Sequence, residues 1–268
     1  MKFERIPLQN EGTYLDAYVA DPIPGFRRRP ILVIPGGAYA SVCSDREGEP
    51  IAFAFLARGF APFVLHYSVG GARPYPAQLR EVAEAMAIID SRTDADALLR
   101  GTFFVGFSAG GHLAATAGTM WHRSEVQEGF PAGVNRPMGV MLIYPVVSFR
   151  YGNARSLENL LCKRDASEEE KAYVSADLAV DERSSPAFLL HTSEDGVVDV
   201  GNSLDLARAY HGAGVPFELH VFPHGPHGVA LANAITETGN PAFRHPEMEC
   251  WVDLAATWAE NVAKSAKK

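Results

Sequence analysis

Six short apolar runs punctuate this chain: PILVIPGG (30–37), GFAPFVLHY (59–67), GTFFVGF (101–107), RPMGVMLIYPV (136–146), SPAFLLHT (185–192) and VPFELHVFP (215–223). Most are apolar without alternation, as strands are when both faces of a parallel sheet are covered. Amphipathic stretches lie between them. EPIAFAFLAR (49–58) carries Pro50 in its first turn, where a missing N–H costs nothing. PAQLREVAEAMAIIDSR (76–92) sets Leu79, Val82, Ala83, Met86 and Ile89 on one helical face. AGGHLAATAGTMW (109–121), NSLDLARAYHGAG (202–214) and MECWVDLAATWAENVA (248–263) complete the set. Strands alternating with helices predict βαβ units with right-handed crossovers. The fold class is therefore α/β, a mostly parallel, doubly wound sheet with helices on both faces. FERIPL and TYLDAYVAD alternate more and predict an antiparallel hairpin at one edge.

The 268 residues suffice for one domain spanning 1–268 and require no second. One segment, 147–184, is longer and more polar than a simple crossover. It reads as an insertion over the C-terminal edge of the sheet, a lid or pocket wall, since ligands bind at that edge in open α/β folds. The formal net charge is −8 and no basic stripe is present, which argues against nucleic acid as a partner. MKFERIPLQNEG lacks the apolar core of a secretory signal, and no run reaches the length of a membrane span. A cytoplasmic protein without a membrane partner is expected. Cys43, Cys162 and Cys250 are odd in number and lack CxxC spacing, so they read as free thiols.

GFSAGGHLA (106–114) places Ser108 between an apolar strand and a helix, with glycine two positions before and two after. A G-x-S-x-G match alone is weak, but strand–turn–helix is the context a nucleophile elbow needs. Such a turn is too tight for larger neighbours, and it lifts the serine to a helix N-terminus. A serine hydroxyl needs a base and an orienting acid, expected later in the chain as acid and then histidine. Asp195, before Gly196 in LLHTSEDGVVDV, is the favoured acid, with Glu194 and Asp199 beside it. The other reading of Asp195 is an Asx-type turn with only a structural role. His227 in FPHGPHGVAL is the favoured base, on a compact loop between Gly225-Pro226 and Gly228, with His224 as the rival. An HxxH pair can bind metal, but no further ligand motif accompanies it. His112, one turn after Ser108, reads as a buried, satisfied histidine. The N–H of Ala109 is one oxyanion donor, and IPGGAYAS (34–41) can turn further amides of Gly36, Gly37 and Ala38 to a common point.

PGGAY, GFSAGGHLA, HTSEDGVVDVGNSL and FPHGPHG together resemble the α/β-hydrolase superfamily. Within it the chain is similar to the small carbohydrate-esterase and acetyl-xylan-esterase-like enzymes, near the hormone-sensitive-lipase group. The resemblance runs from about residue 30 to residue 260. It implies the α/β-hydrolase fold, a Ser108–Asp195–His227 triad and oxyanion donors from Gly37, Ala38 and Ala109. Where the superfamily often has HGGG, this chain reads PGGA. SDREGEPIAFAFLARGFA (44–61) also resembles that branch. There Arg46 and Glu49 either brace the oxyanion loop by pairing or are two solvated charges.

The expected function is a serine carboxylesterase acting on a small-molecule ester by two-step acyl transfer, with no cofactor and no metal. Tyr39 and Tyr144 are expected to limit the acyl side of the substrate pocket. The segment 147–184 and the loop SVGGARPYP (68–76) are expected to form its rim. Acetyl esters of carbohydrates such as xylo-oligosaccharides follow from the resemblance alone. The alternatives are an arylformamidase, peptidase or lipase on the same triad, or a binding protein that kept the fold and lost the chemistry. A homo-oligomer is compatible with the sequence.

Overall fold

The computed structural model describes residues 1–93 and 98–266. A hairpin, β1 (Lys2–Pro7) and β2 (Tyr14–Val19), leads to β3 (Arg29–Ile34). Then come the short α1 (Ser44–Glu47), α2 (Glu49–Leu56), β4 (Phe60–His66), α3 (Ala77–Ser91) and β5 (Phe103–Phe107). Next are α4 (Ser108–Met120), α5 (Ser124–Gln127), β6 (Gly139–Ile143), α6 (Ala154–Leu161) and α7 (Glu168–Val174). The chain closes with β7 (Ala187–Thr192), α8 (Gly201–Ala213), β8 (Phe217–Phe222) and α9 (Trp251–Ser265).

The eight strands form one sheet in the order β1-β2-β4-β3-β5-β6-β7-β8. The hairpin is antiparallel and joins β4 antiparallel, while β3 to β8 run parallel. Alternate residues of each parallel strand enter opposite layers. Leu32, Phe104, Leu142 and Leu189 meet Leu79, Val82 and Met86 of α3, Leu113 of α4 and Leu206 of α8. Ile31, Val33, Phe103, Val105 and Phe188 meet Ile51 and Phe55 of α2 and Trp251 and Trp258 of α9. Both faces are dry, which is why these strands show no period of two in the sequence. Burying each large apolar side chain contributes roughly 1.5–3 kcal/mol, so the two layers fix the sheet before any loop is specified.

The topology places the site. The chain winds outward from β3 to β4, then returns to add β5 on the other side of β3. The loop after β3 and the turn after β5 therefore leave neighbouring strands, with Ile34 paired to Gly106. This is the switch point at which α/β sheets open a crevice.

The segment 147–184 folds into α6 and α7, with short 3₁₀ turns beside them. Ser167 caps α7: its hydroxyl accepts from the Glu170 amide, and the Glu170 carboxylate accepts from Ser167 N. That reciprocal pair stabilises a helix end the sequence already marks as SEEE. Among the described residues, no helix is long and apolar enough to cross a membrane. Cys43, Cys162 and Cys250 are free.

Candidate active site

Ser108 opens α4 directly after β5, with a φ of 51°. A left-handed serine costs on the order of 1–3 kcal/mol, and such strain persists only where the surroundings enforce it. Here the surroundings are backbone. A Cβ at Gly110 would lie 2.1 Å from Ile34 O and 2.3 Å from Pro35 O. A Cβ at Gly106 would lie 2.4 Å from Gly110 O. The glycines are required because β3, β5 and α4 touch through their main chains.

The His227 ring stands between Ser108 and Asp195. Its Nε2 is 2.8 Å from Ser108 Oγ, and its Nδ1 is 2.7 Å from Asp195 Oδ2. A carboxylate only accepts, so the proton of the neutral ring sits on Nδ1 and Nε2 is free to accept from the serine hydroxyl. The other Asp195 oxygen accepts from Val197 N and Val198 N, so the residue builds an Asx-type turn as well as facing the histidine. Burial alone would push its carboxyl up. Hydrogen bonds from His191, His227 and Val198 and the charge of His227 hold it well below the usual carboxylate range.

The rival residues point elsewhere. Asp199 accepts from Gly201 N at the start of α8. Glu194 and His224 are exposed and pair with each other at 2.9 Å, so the rings of His224 and His227 do not converge on a common ligand. His112 is buried, with Nδ1 taking the Tyr39 hydroxyl at 2.7 Å and Nε2 donating to Val174 O.

The loop after β3 curls in a left-handed conformation at Gly37, Ala38 and Tyr39. The Gly37 carbonyl accepts from Ala40 N and Ser41 N. Among the described residues, no protein acceptor takes Gly37 N or Ala38 N, and both residues line a cleft with Ser108 and His227. Ala109 N lies in the first turn of α4, where helix amides have no partner of their own.

Three expectations need correction, and one open alternative is decided. Arg46 does not pair with Glu49: Glu49 is exposed, and its carboxylate meets the Tyr18 hydroxyl at 3.4 Å. The carboxylate that reaches the loop is Glu47, 2% exposed, whose Oε2 accepts from Gly36 N at 2.8 Å. Acidic residues stand at 45, 47 and 49, and the sequence holds no signal that distinguishes them. The break at Gly48 between α1 and α2 turns the middle one inward. Burial pushes the Glu47 carboxyl up, opposed by the Gly36 amide and the Tyr144 hydroxyl. Tyr39 and Tyr144 do not wall the cleft beside Ser108: both are buried and neither is among its lining residues. Tyr144 donates to Glu47 Oε1 at 2.9 Å, and its ring meets the His227 ring edge-on with centroids 5.0 Å apart. The loop 68–76 forms no rim. It packs against the loop after β3, with Gly70 N donating to Tyr39 O, and against α6, with Tyr75 N donating to Leu160 O.

The cleft is also lined by Arg46, Glu47, Val146, Val197, Val198, Asn153 and Ser156. The last two come from 147–184, so that segment supplies a wall, and Asn159 of α6 donates to Ala38 O at 2.9 Å. Cys43 also borders the cleft, and burial pushes its thiol up, away from the nucleophilic thiolate. The cleft encloses about 190 Å³. A larger groove of about 630 Å³ lies at the opposite end of the strands, lined by Pro137, Met138 and Trp258, and holds no nucleophile beside a base.

The mostly parallel eight-stranded sheet with this crevice, and the solved structures it resembles, define the class: the α/β-hydrolase fold. The chain belongs to the BD-FAE family, whose model matches residues 15–210. It is 36% identical to endo-1,4-beta-xylanase B of Butyrivibrio fibrisolvens over 77% of this chain and 33% of that protein. It is 28% identical to an acetylxylan esterase of Xylanibacter ruminicola over 75% of this chain and 41% of that one. The chain thus spans less than half the length of either curated relative, and each likeness concerns only a part of that protein. The solved structure of an acetyl ester-xyloside bifunctional hydrolase from Caldicellulosiruptor lactoaceticus is similar at a TM-score of 0.82. It is 29% identical over 97% of this chain and 96% of that one.

Proposed function

We propose that this chain hydrolyses short acyl esters, acetyl above all, of small carbohydrates such as xylo-oligosaccharides, through Ser108, His227 and Asp195. The observation that carries the reading is the unbroken hydrogen-bonded line from Asp195 through His227 to Ser108. It ends beside the amides of Gly37 and Ala38, which no protein group accepts among the described residues.

In this reading His227 Nε2 takes the Ser108 proton as Oγ attacks the ester carbonyl. The carbonyl oxygen becomes an oxyanion and is held by the amides of Gly37, Ala38 and Ala109. Asp195 stabilises the imidazolium formed at that moment. His227 then gives its proton to the leaving alcohol, the C–O bond breaks, and an acyl-serine remains. A water attacks it by the same route and releases the carboxylic acid and free Ser108. These steps use only side chains, backbone amides and water. The carbohydrate alcohol is supported by the names of the relatives, one of which acts on acetylxylan.

The test pairs a fluorophosphonate probe with acetate release from acetylated xylo-oligosaccharides. The wild type is labelled and releases acetate. Ser108→Ala folds, is not labelled, and turns over slower by about 10³-fold or more. Near-normal turnover by a folded Ser108→Ala protein overturns the nucleophile. Aryl acetate turnover with no deacetylation of any sugar removes the carbohydrate and leaves the esterase.

A further inference from the structure

A buried carboxylate links the two loops that flank Ser108. Glu47 Oε2 accepts from Gly36 N at 2.8 Å, at the root of the oxyanion loop. Glu47 Oε1 accepts from the Tyr144 hydroxyl at 2.9 Å. That hydroxyl accepts in turn from Ala230 N at 3.0 Å, three residues beyond His227. The path Gly36–Glu47–Tyr144–Ala230 therefore joins the loop after β3 to the loop after β8 beside the cleft, which Glu47 itself helps to line. Tyr144 and Ala230 have φ of 38° and 50°, conformations that residues with a side chain keep only when their surroundings hold them.

We infer that Glu47 and Tyr144 are positioning residues for acyl transfer, fixing the amides of Gly37 and Ala38 relative to the imidazole of His227. The inference rests on the hydrolase reading above. Neither side chain touches Ser108 Oγ through a hydrogen bond. Their effect runs through the peptide before Gly37 and through the face of the His227 ring. Gly36 N committed to Glu47 holds the Pro35–Gly36 peptide, and Gly36 O accepts from Cys43 N, so the two amides that follow start from a fixed root. The spacing is tight: a Cβ at Gly36 would lie 2.8 Å from Glu47 Oε2 and 2.9 Å from Ser108 Cβ. Oxyanion donors act most strongly when they need no reorganisation as charge develops. A displacement of about 1 Å in such a site costs on the order of 100-fold in rate.

Glu47→Gln keeps the shape of the side chain but leaves it one acceptor for two donors. Tyr144→Phe keeps the ring against His227 and removes the link. Both variants are measured with an aryl acetate and with a trifluoromethyl ketone, whose hydrate-like adduct on serine carries the oxyanion. We expect kcat to fall about 10-fold or more in each, with KM nearly unchanged, because misplaced donors act on the transition state. Ketone affinity falls in parallel with kcat/KM. The double variant is no slower than the slower single one, because a linear path is broken only once. A brace with a purely structural role lowers Tm and leaves both kcat and ketone affinity at wild-type values, and that result overturns the inference. So does a rise in KM at unchanged kcat. If Glu47→Gln does not fold, Tyr144→Phe decides by the same two readouts. A wild type that a fluorophosphonate leaves unlabelled overturns the hydrolase reading and this inference with it. A labelled wild type with unimpaired variants overturns this inference alone.

Discussion

Asp195 Oδ2 lies 2.7 Å from His227 Nδ1, whereas the Asp199 carboxylate is spent on Gly201 N at the start of α8. The two aspartates stand four residues apart in one loop, yet only one faces the histidine. Asp195→Asn replaces an acceptor by an amide that can donate to Nδ1, which favours the tautomer with its proton on Nε2. Turnover is expected to fall by about 10³-fold or more, as removal of a carboxylate that fixes an imidazole tautomer does. Asp199→Asn leaves turnover nearly unchanged. Steady-state kinetics on an aryl acetate decide between them, and equal losses refute the assignment.

The same comparison holds for the histidines. His227 is enclosed between Ser108 and Asp195, and His224 is exposed on Glu194. His227→Ala is expected to lose about 10³-fold or more of the rate. His224→Ala keeps most of it. Because the two rings have different partners, a chelator leaves wild-type activity unchanged. Activity lost to EDTA and restored by zinc overturns the metal-free scheme.

Gly110→Ala tests why the elbow is glycine-rich. The added Cβ meets two backbone oxygens, which cannot swing aside as a flexible side chain can. We expect a loss of about 3 kcal/mol or more, read by denaturant unfolding, or failure to accumulate as soluble protein. Gly196→Ala is the control, since nothing lies near the Cβ it adds. A Gly110→Ala protein as stable as the control rules out close approach as the reason for the glycine.

What the sequence made readable was what is encoded locally. Both-face burial writes itself into Ile31–Ile34 and Phe103–Phe107 as unbroken apolar runs, and these are most of β3 and the whole of β5 as observed. Ser108 and His227 carry glycines on either side, which mark tight turns without knowledge of the tertiary structure. Glu47, Tyr39 and Tyr144 carry no such mark. The direction of each side chain is set by a partner far along the chain: Gly36 and Tyr144 for Glu47, and His112 for Tyr39. A tyrosine at a strand end looks the same whether it faces a cleft or supports a histidine from behind, so the sequence carries no signal for the side on which Tyr39 or Tyr144 lies.

His112 predicts an acid-sensitive fold. Burial holds it at about 4, against an ordinary value of 6.5. Between those values the unfolded chain binds a proton there and the folded chain does not. Stability therefore falls as pH drops from 6.5 towards 4, and the loss is complete near the lower value. At pH 5 this one group costs on the order of 2 kcal/mol. His66, also held at about 4 chiefly by burial, adds a loss of the same sign. Asp195 does not contribute in this window. Its folded value is depressed, so its stabilisation is present above the ordinary carboxylate range and is lost only below it. Thermal unfolding from pH 7 to pH 4.5 is expected to show a falling Tm, with a shallower slope in His112→Gln. An equal slope in the variant assigns the acid sensitivity to other groups.

The cleft predicts acyl length. It encloses about 190 Å³ beside Ser108, and Val146, Val197 and Val198 close its apolar side. On the proposed function, an acetyl group is expected to sit there with its carbonyl oxygen towards Gly37 and Ala38. Each further methylene gains about 0.8 kcal/mol only while apolar wall remains to cover it. Beyond that point the chain must displace Asn153 or Ser156, and Asn153 is held by its donation to Val197 O. Across 4-nitrophenyl esters from acetate to octanoate, kcat/KM is expected to peak at acetate or propionate and then fall. Enlarging the wall by Val198→Ala moves the peak to longer chains without raising acetate turnover. Wild-type protein that prefers octanoate has a lipase-like pocket, and the acyl-size reading of this cleft fails.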